Sequence, residues 1–375
     1  LASPSGTRIE ALDAVRGAAL FGVLTVNLIV QFRVSVFTQF LPAREDDGSW
    51  DAIVERAVAF ALESKAFALF SLLFGLGLAM QLERLGDTGR ANYFLIRRLL
   101  ALLAFGLVHL VFIWNGDILT EYAIAGFVAL PFLRLPAAGL AKAAALCFAL
   151  FIGLAIFPQP VRLPDPPTLQ RHIEEATRIY ATGGYAQTLE LSVRELRLML
   201  PLHLNVFPRT VGFILLGACI WKSGVLQGSS VSRRTMLLCG LGGTVLGFLL
   251  TASGERILAG MVAPIVLALG YGALLYALAM AAPFARLLRP IGALGRMPFT
   301  NYILQSVILS FVFFGFGLGQ FGKVGAAQGL LLACGLYVAQ AVLSLVWLRD
   351  FRFGPLEWLW RVLMYGRRFP IARAG

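Results

Sequence analysis

The sequence predicts an all-α, polytopic integral membrane protein, a helical bundle with about 10 transmembrane helices, and three observations predict it. Of the 375 residues, 58% are hydrophobic. Only 14% are charged, against roughly 25% in ordinary soluble domains. The apolar residues gather into runs of about twenty, the helical length needed to cross a hydrocarbon core about 30 Å thick. Mean hydropathy is +0.79. A water-soluble core of this length cannot hide so much apolar surface, which excludes a soluble enzyme, a disordered chain and a fibrous repeat. The net charge of +12 is read as basic loops facing an anionic inner leaflet, not as a nucleic-acid surface.

The runs lie near 12–32, 57–82, 96–114, 117–134, 138–157, 199–221, 235–252, 257–281, 297–318 and 325–348. No signal peptide is visible, so the first run is expected to stay as the first span. Residues 33–56 form an acidic connection with Glu45, Asp46, Asp47, Asp51 and Glu55. Residues 158–198 open Pro-rich; Thr168 then reads as a helix N-cap, followed by a stripe of Leu169, Ile173, Ala176 and Tyr180. Gly183-Gly184 breaks that helix, and a second amphipathic helix is expected after it. One membrane domain, 1–375, therefore divides into a first five-helix half (1–157), an extracytoplasmic amphipathic loop (158–198), a second five-helix half (199–348) and a cytoplasmic interfacial helix and tail (349–375).

Nineteen basic residues fall on the faces that include both termini and ten on the opposite faces, which predicts cytoplasmic N- and C-termini. In the tail, Gly354-Pro355 precede a helix whose Leu356, Leu359, Trp360 and Leu363 share one face. Glu357 and Arg361 are spaced to pair, while Trp358, Trp360 and Tyr365 suit the headgroup level, so this helix is expected to lie on the inner interface. Cys147, Cys219, Cys239 and Cys334 form no CxxC pair and are read as small buried hydrophobes. Gly243, Gly247 and Gly315 to Gly319 read as close-packing positions.

Ionisable groups at membrane depth are costly and therefore informative. Asp13 and Arg16 share a face near the inner end of the first span, a helix-end pair or an anion site. Asn27 lies eleven residues beyond Arg16, in the outer half. Glu63 and Lys65 are two apart, so each needs its own partner. His109 ends the third span, and the turn Trp114-Asn115-Gly116 brings Asp117 back beside it. A carboxylate against an imidazole fixes its tautomer and raises its basicity, the arrangement of a general base. His203 and Arg209 open the sixth span at the same outer level, with Arg209 expected to pair with Asp117 or a substrate group. His172 is expected to be a surface residue of the outer loop. Asn301 and Gln305 form a polar stripe that either binds helices together or faces a ligand. No ligand spacing supports a metal.

Arg8-Ile9, Leu12-Asp13, Arg16-Gly17 and Asn27, with Lys65 to Gly75 and His109 to Tyr122, resemble the YeiB-like bacterial membrane proteins, the domain of unknown function 418. So do Gly295-Arg296-Met297, Thr300-Asn301-Tyr302, Gln305-Ser306 and Gly354 to Arg361. That family is similar to a wider group of transmembrane acyltransferases, including the lysosomal heparan glucosaminide N-acetyltransferase and the bacterial O-acyltransferases of cell-surface glycans. In the latter an arginine precedes a histidine in the first span; here Arg16 matches and Asn27 stands at the histidine's place. Asn cannot act as a base at neutral pH, which leaves His109 as the substitute.

The resemblance implies transfer of an acyl group, such as acetyl, from cytoplasmic acyl-CoA to a hydroxyl or amine at the outer face of a bacterial cytoplasmic membrane. On that reading Arg16, Arg97, Arg98 and Arg296 meet the CoA phosphates. His109, oriented by Asp117, is the base. Asn27, Asn301 or Gln305 donates to the oxyanion, and His203, Arg209, Glu63 and Lys65 line the substrate seam. The expected partners are the bilayer, acyl-CoA and a glycan, lipid or small-molecule acceptor, without nucleic acid or metal; an oligomer is compatible with the sequence. The rival reading is a transporter or lipid flippase using the same seam, and a third is a structural or sensory protein. CoA binding separates the first reading from the others.

Overall fold

The computed structural model describes residues 6–41, 48–86, 89–157, 164–227 and 231–373. The acidic trio Glu45, Asp46 and Asp47, most of the Pro-rich stretch and both chain ends lie outside the described residues. The helices run in chain order α1 (Gly6–Asn27), α2 (Trp50–Ala61), α3 (Lys65–Leu85), α4 (Gly89–Phe112), α5 (Leu119–Ala129) and α6 (Ala137–Ile156). Next come α7 (Pro166–Thr182), α8 (Tyr185–Lys222), α9 (Arg233–Ala252), α10 (Ala263–Ala279) and α11 (Ala282–Leu287). The chain closes with α12 (Arg289–Arg296), α13 (Pro298–Phe313), α14 (Ala326–Asp350) and α15 (Pro355–Tyr365). Among the described residues there is no strand, only a bridge between Phe351 and Ala372.

The protein is a helical membrane bundle. Among the described residues, eight helical stretches are long and apolar enough to cross a bilayer. The other two expected runs are shorter helices. The run 117–134 is α5 continued by a 3-10 turn, Leu130–Arg134. The run 297–318 is α13, which begins at Pro298 as expected and stops at Phe313. Gly315 to Gly319 then form a turn, outside the helix but close-packed as expected: a Cβ at Gly315 would stand 2.7 Å from the Gly183 nitrogen and one at Gly319 2.8 Å from the Ala181 carbonyl oxygen. A Cβ at Gly317 would stand 1.9 Å from the Phe311 carbonyl oxygen, and Gly319 takes φ +59°. The Gly315 N–H donates to the Tyr180 carbonyl at 2.7 Å, seating the turn against α7.

Other expectations change in detail. The second run is two helices: α2 ends at Ala61, Ser64 adopts φ +63°, and α3 starts at Lys65. The cap of α7 is Asp165, whose carboxylate accepts the Thr168 N–H, while Pro166 occupies the first turn. Proline suits that first position because the N–H it lacks would have no helical partner, so the helix starts before Thr168. Its stripe of Leu169, Ile173, Ala176 and Tyr180 is buried as expected. The second amphipathic helix is not separate from the sixth span. Both belong to α8, 38 residues long and unbroken at Pro201 and Pro208, about 57 Å at 1.5 Å per residue.

Helix α1 runs through the centre, packed by α3, α10, α12, α13 and α14. Helices α3 and α8 cross closely because both lack side chains at the contact. A Cβ at Gly75 would lie 1.9 Å from the Ile214 carbonyl oxygen, and one at Gly217 the same distance from that of Leu72. Helices α9 and α10 pair at the periphery, where Leu241 and Leu249 are exposed as a lipid-facing surface requires. Cys239 and Cys334 are exposed on α9 and α14. That corrects the expectation of burial, because these outer helices turn one side away from the bundle.

Candidate functional site

The centre of the candidate site is built by two helices and the turn between them. Helix α4 carries Arg97 and Arg98 in its first half and His109 near its end; eleven residues separate Arg98 from His109, about 16 Å along the axis. The chain reverses through Trp114-Asn115-Gly116. Asp117 then accepts the Leu119 N–H at 3.1 Å and the Thr120 N–H at 2.6 Å, capping α5. Gly106 allows this return: a Cβ there would meet the Thr120 nitrogen at 2.6 Å.

The result is a close His109–Asp117 contact, with Nδ1 2.8 Å from Oδ1 and neither side chain exposed. The carboxylate lies off the N–H axis, and both ring nitrogens are without an aligned hydrogen-bond partner. The Tyr302 ring lies 5.3 Å from the imidazole and Trp114 meets it edge-on at 6.2 Å. The Asn27 Oδ1 is likewise buried and unpartnered, and the Tyr302 hydroxyl, buried beside the Ile118 backbone, makes no well-aligned hydrogen bond. Buried polar atoms are almost always satisfied, and leaving them unmade is expensive, so a concentration of unpaired groups marks a site. Just past Asn27 the helix widens into a π-turn, Leu28–Phe32, a device frequent at functional positions. Phe32 from that turn stacks on Trp114 with centroids 4.2 Å apart.

Asn301 and Gln305 are engaged elsewhere. Asn301 Nδ2 donates to the Met297 carbonyl and to Ser344 Oγ at 2.9 and 3.0 Å. Gln305 Nε2 donates to Gln340 Oε1 at 2.8 Å, and Gln340 Nε2 to the Asn301 carbonyl at 3.0 Å. The stripe binds α13 to α14. A second polar centre joins α5 to α8: His203 Nδ1 lies 2.9 Å from Glu121 Oε2, and the Thr210 hydroxyl donates to Oε1 at 2.5 Å. Arg209 feels the Glu121 charge and packs over the Phe151 ring at 5.5 Å. The expected pairing with Asp117 does not form, because α5 and His109 already hold that carboxylate. Lys65, buried, donates to the Ala59 carbonyl at 2.9 Å and feels the charge of Glu63.

At the other end of the bundle, basic groups converge. Arg16 pairs with Asp13 at 2.6 Å. Arg98 bonds Gln81 and lies between the rings of Phe74 and Trp360, 5.7 and 4.7 Å from their centroids. It is within electrostatic reach of Arg16 and Arg361, and Asp13 is within reach of Arg296. Arg97 donates to the Leu363 carbonyl and to Tyr93. Arg361, which the sequence reading did not assign to this group, stacks on Phe353 at 4.4 Å.

Glu357 does not hydrogen-bond Arg361. Its Oε1 accepts the N–H groups of Phe299 and Thr300 at 2.7 and 3.0 Å, and its Oε2 the Thr300 hydroxyl at 2.5 Å, so it caps α13. Burial pushes this carboxyl above the usual carboxylate range, against the pull of those hydrogen bonds. The tryptophans of α15 are anchors too, Trp360 donating to the Arg98 carbonyl and Trp358 to that of Phe369. Leu359 and Leu363 remain exposed.

The end of the bundle that carries His109 holds a further network that sequence reading missed. Glu195 is buried. Its Oε2 accepts the Tyr180 hydroxyl at 2.5 Å and Asn115 Nδ2 at 2.8 Å, and its Oε1 lies 2.9 Å from His172 Nε2. His172 is thus no plain surface residue; it packs edge-on against Phe37 at 5.2 Å. The available signal was the stripe Leu191, Glu195, Met199, a carboxylate on the apolar face of a helix.

A family model described as "Protein of unknown function (DUF418)" matches residues 220–367. The "Uncharacterized protein YxaH" of Bacillus subtilis (strain 168) is 32% identical over 389 residues, covering 98% of this chain and 96% of its own. The "Uncharacterized 39.9 kDa protein in amylase 3'region" of Bacillus acidopullulyticus is 31% identical over 376 residues, covering 97% and 96%. The "Uncharacterized protein YeiB" of Escherichia coli (strain K12) is 28% identical over 387 residues, covering 94% and 95%. No solved structure matches the chain.

Proposed function

This chain belongs to the YeiB-like DUF418 family, and we propose that it is a membrane acyltransferase moving an acyl group from acyl-CoA to a hydroxyl or amine acceptor. One observation carries the reading: at membrane depth, an imidazole with no exposed surface lies against a carboxylate and keeps its second nitrogen free. Such a nitrogen is available for a proton, and a base held in this way contributes typically 10²–10⁴ in rate.

The reaction balances without any outside reactant. His109 Nε2 takes the proton as the acceptor oxygen or nitrogen attacks the thioester carbonyl. The C–S bond then breaks, and the departing thiolate receives that proton from His109. Asp117, held by the first N–H groups of α5, keeps the ring in place. The Tyr302 hydroxyl and the Asn27 amide are the donors for the oxyanion. The acyl-CoA phosphates dock on the group of Arg16, Arg98, Arg296 and Arg361, with Arg97 beside it. The separation of about 16 Å between Arg98 and His109 suits a long, thin pantetheine arm. Both termini are then cytoplasmic, the acceptor lies at the outer face, and the membrane is the bacterial cytoplasmic membrane.

The test is CoA release from acetyl-CoA by purified protein, normalised to folded molecules. His109→Ala is expected to lose about 100-fold or more while still binding CoA; Asp117→Asn loses less, because the ring survives without its orienting charge. Parent-like release by folded His109→Ala sinks the assignment. Proton-dependent uptake by a parent that releases no CoA replaces it with transport.

A further inference from the structure

Outside the His109 site, a narrow cleft opens among Gln31, Ser35, Trp114, Tyr180, Glu195 and Phe314, with room of about 10 Å³, the space of one water-sized group. Its floor is shared with the candidate site, since Trp114 also meets His109 edge-on. Its chemistry is one-sided. Glu195 is a buried carboxylate whose three partners are a phenol, an amide and an imidazole. Arg194, the nearest cation on the same helix, is turned to Glu175 at 2.8 Å. The phenol keeps its proton, because burial and the Glu195 charge raise Tyr180 well above its ordinary range. A carboxylate offers about four acceptor positions and three are taken, which leaves one. Gln31 and Ser35 also line the cleft, each with an oxygen able to accept, the Ser35 hydroxyl oxygen already taking the Phe37 N–H at 3.4 Å, and Trp114, Tyr180 and Phe314 add aromatic rings.

We propose that this cleft binds a primary ammonium group carried by a molecule at the outer face. An ammonium is the size of a water, presents three N–H donors, carries a charge opposite to that of Glu195, whose ion-pair contact here is His172 and not a lysine or arginine, and is attracted by aromatic rings. A hydroxyl of the same size meets the hydrogen bonds but not the charge. A quaternary ammonium is too large and donates nothing. Taking the ammonium as the handle of the acyl acceptor, held by charge while another group faces His109, rests on the acyl-transfer reading; the ammonium site itself does not.

The experiment compares hexylammonium with hexan-1-ol, its neutral counterpart of similar shape, on purified full-length protein in a non-ionic detergent, by calorimetry. Hexylammonium is expected to bind saturably and about tenfold or more tighter than the alcohol, the value of a hydrogen bond to a charged group. Glu195→Gln, which keeps shape and one acceptor oxygen, should abolish that preference. Equal binding of the two probes by the parent, or no binding of either, means a water cleft only and overturns the proposal. So does an undiminished preference in folded Glu195→Gln. If that variant does not fold, the comparison on the parent decides, with Gln31→Leu as the second variant expected to weaken hexylammonium selectively. CoA release from the same preparations keeps the two readings apart: an ammonium preference without CoA release removes acyl transfer alone, and CoA release without the preference removes the ammonium site alone.

Discussion

Glu357 is the side chain whose removal has the most calculable consequence. It lies on α15, yet its three contacts are to the first turn of α13, two backbone N–H groups and the Thr300 hydroxyl. Gly354 makes room for it: a Cβ there would stand 2.1 Å from Glu357 Oε2. Glu357→Ala strips the cap from α13 and leaves two N–H donors in a part-buried joint. Loss of an N-cap costs about 0.5–2 kcal/mol, and each unsatisfied buried donor about 1–3 kcal/mol. These overlap, so the expected loss is about 2–4 kcal/mol. Glu357→Gln retains one acceptor oxygen and should lose about half of that. The assay is thermal unfolding in detergent followed by tryptophan fluorescence, with limited proteolysis reporting release of α15. The pH dependence adds a signature. Because burial raises the folded-state pKa of Glu357, the folded protein holds this proton more tightly than the unfolded chain. The associated stabilisation is complete below the unfolded pKa and is lost as pH rises through the folded one. Acidification from neutral pH should therefore stabilise the parent relative to Glu357→Gln. An Ala variant that melts with the parent and keeps α15 protected refutes the capping argument.

Other predictions follow from the same contacts. Gly106→Ala forces α5 away from α4, because the new Cβ meets the Thr120 nitrogen at 2.6 Å; the protein should fold with lower stability and lose CoA release beyond the loss of folded protein. The Arg97→Ala, Arg98→Ala double variant and Arg361→Ala should each weaken CoA binding, at about 1.5–3 kcal/mol per lost charged contact. Unchanged CoA affinity in correctly inserted variants removes the phosphate role. A cysteine placed at Gly86 should react only with membrane-permeant reagents in intact cells, and labelling by an impermeant reagent inverts the orientation.

The sequence alone determined the class of the protein and the approximate positions of its helices, because a bilayer imposes a length and a polarity on each crossing that hydropathy reads directly. It also determined local geometry wherever partners are close along the chain. Asp13 and Arg16, one turn apart, pair, and the short turn from His109 to Asp117 sets those groups side by side. Where an outcome depended on packing between distant elements, only the tertiary structure decided it. Glu357 has a cation four residues away, yet it is taken by an α-helix terminus 57 residues earlier, where N–H donors have no helical partner. Arg209 faces Glu121 and not Asp117 because α8 packs on α5. Asn301 and Gln305 turn out to join helices because α14 brings Gln340 and Ser344 to them. The Glu195 network needs residues from α7, α8 and the turn after α4, which are remote in sequence and close in space. Periodicity gives each helix its faces; which neighbour fills a face is a matter of three-dimensional contact, and the polar groups of this bundle take their partners from that.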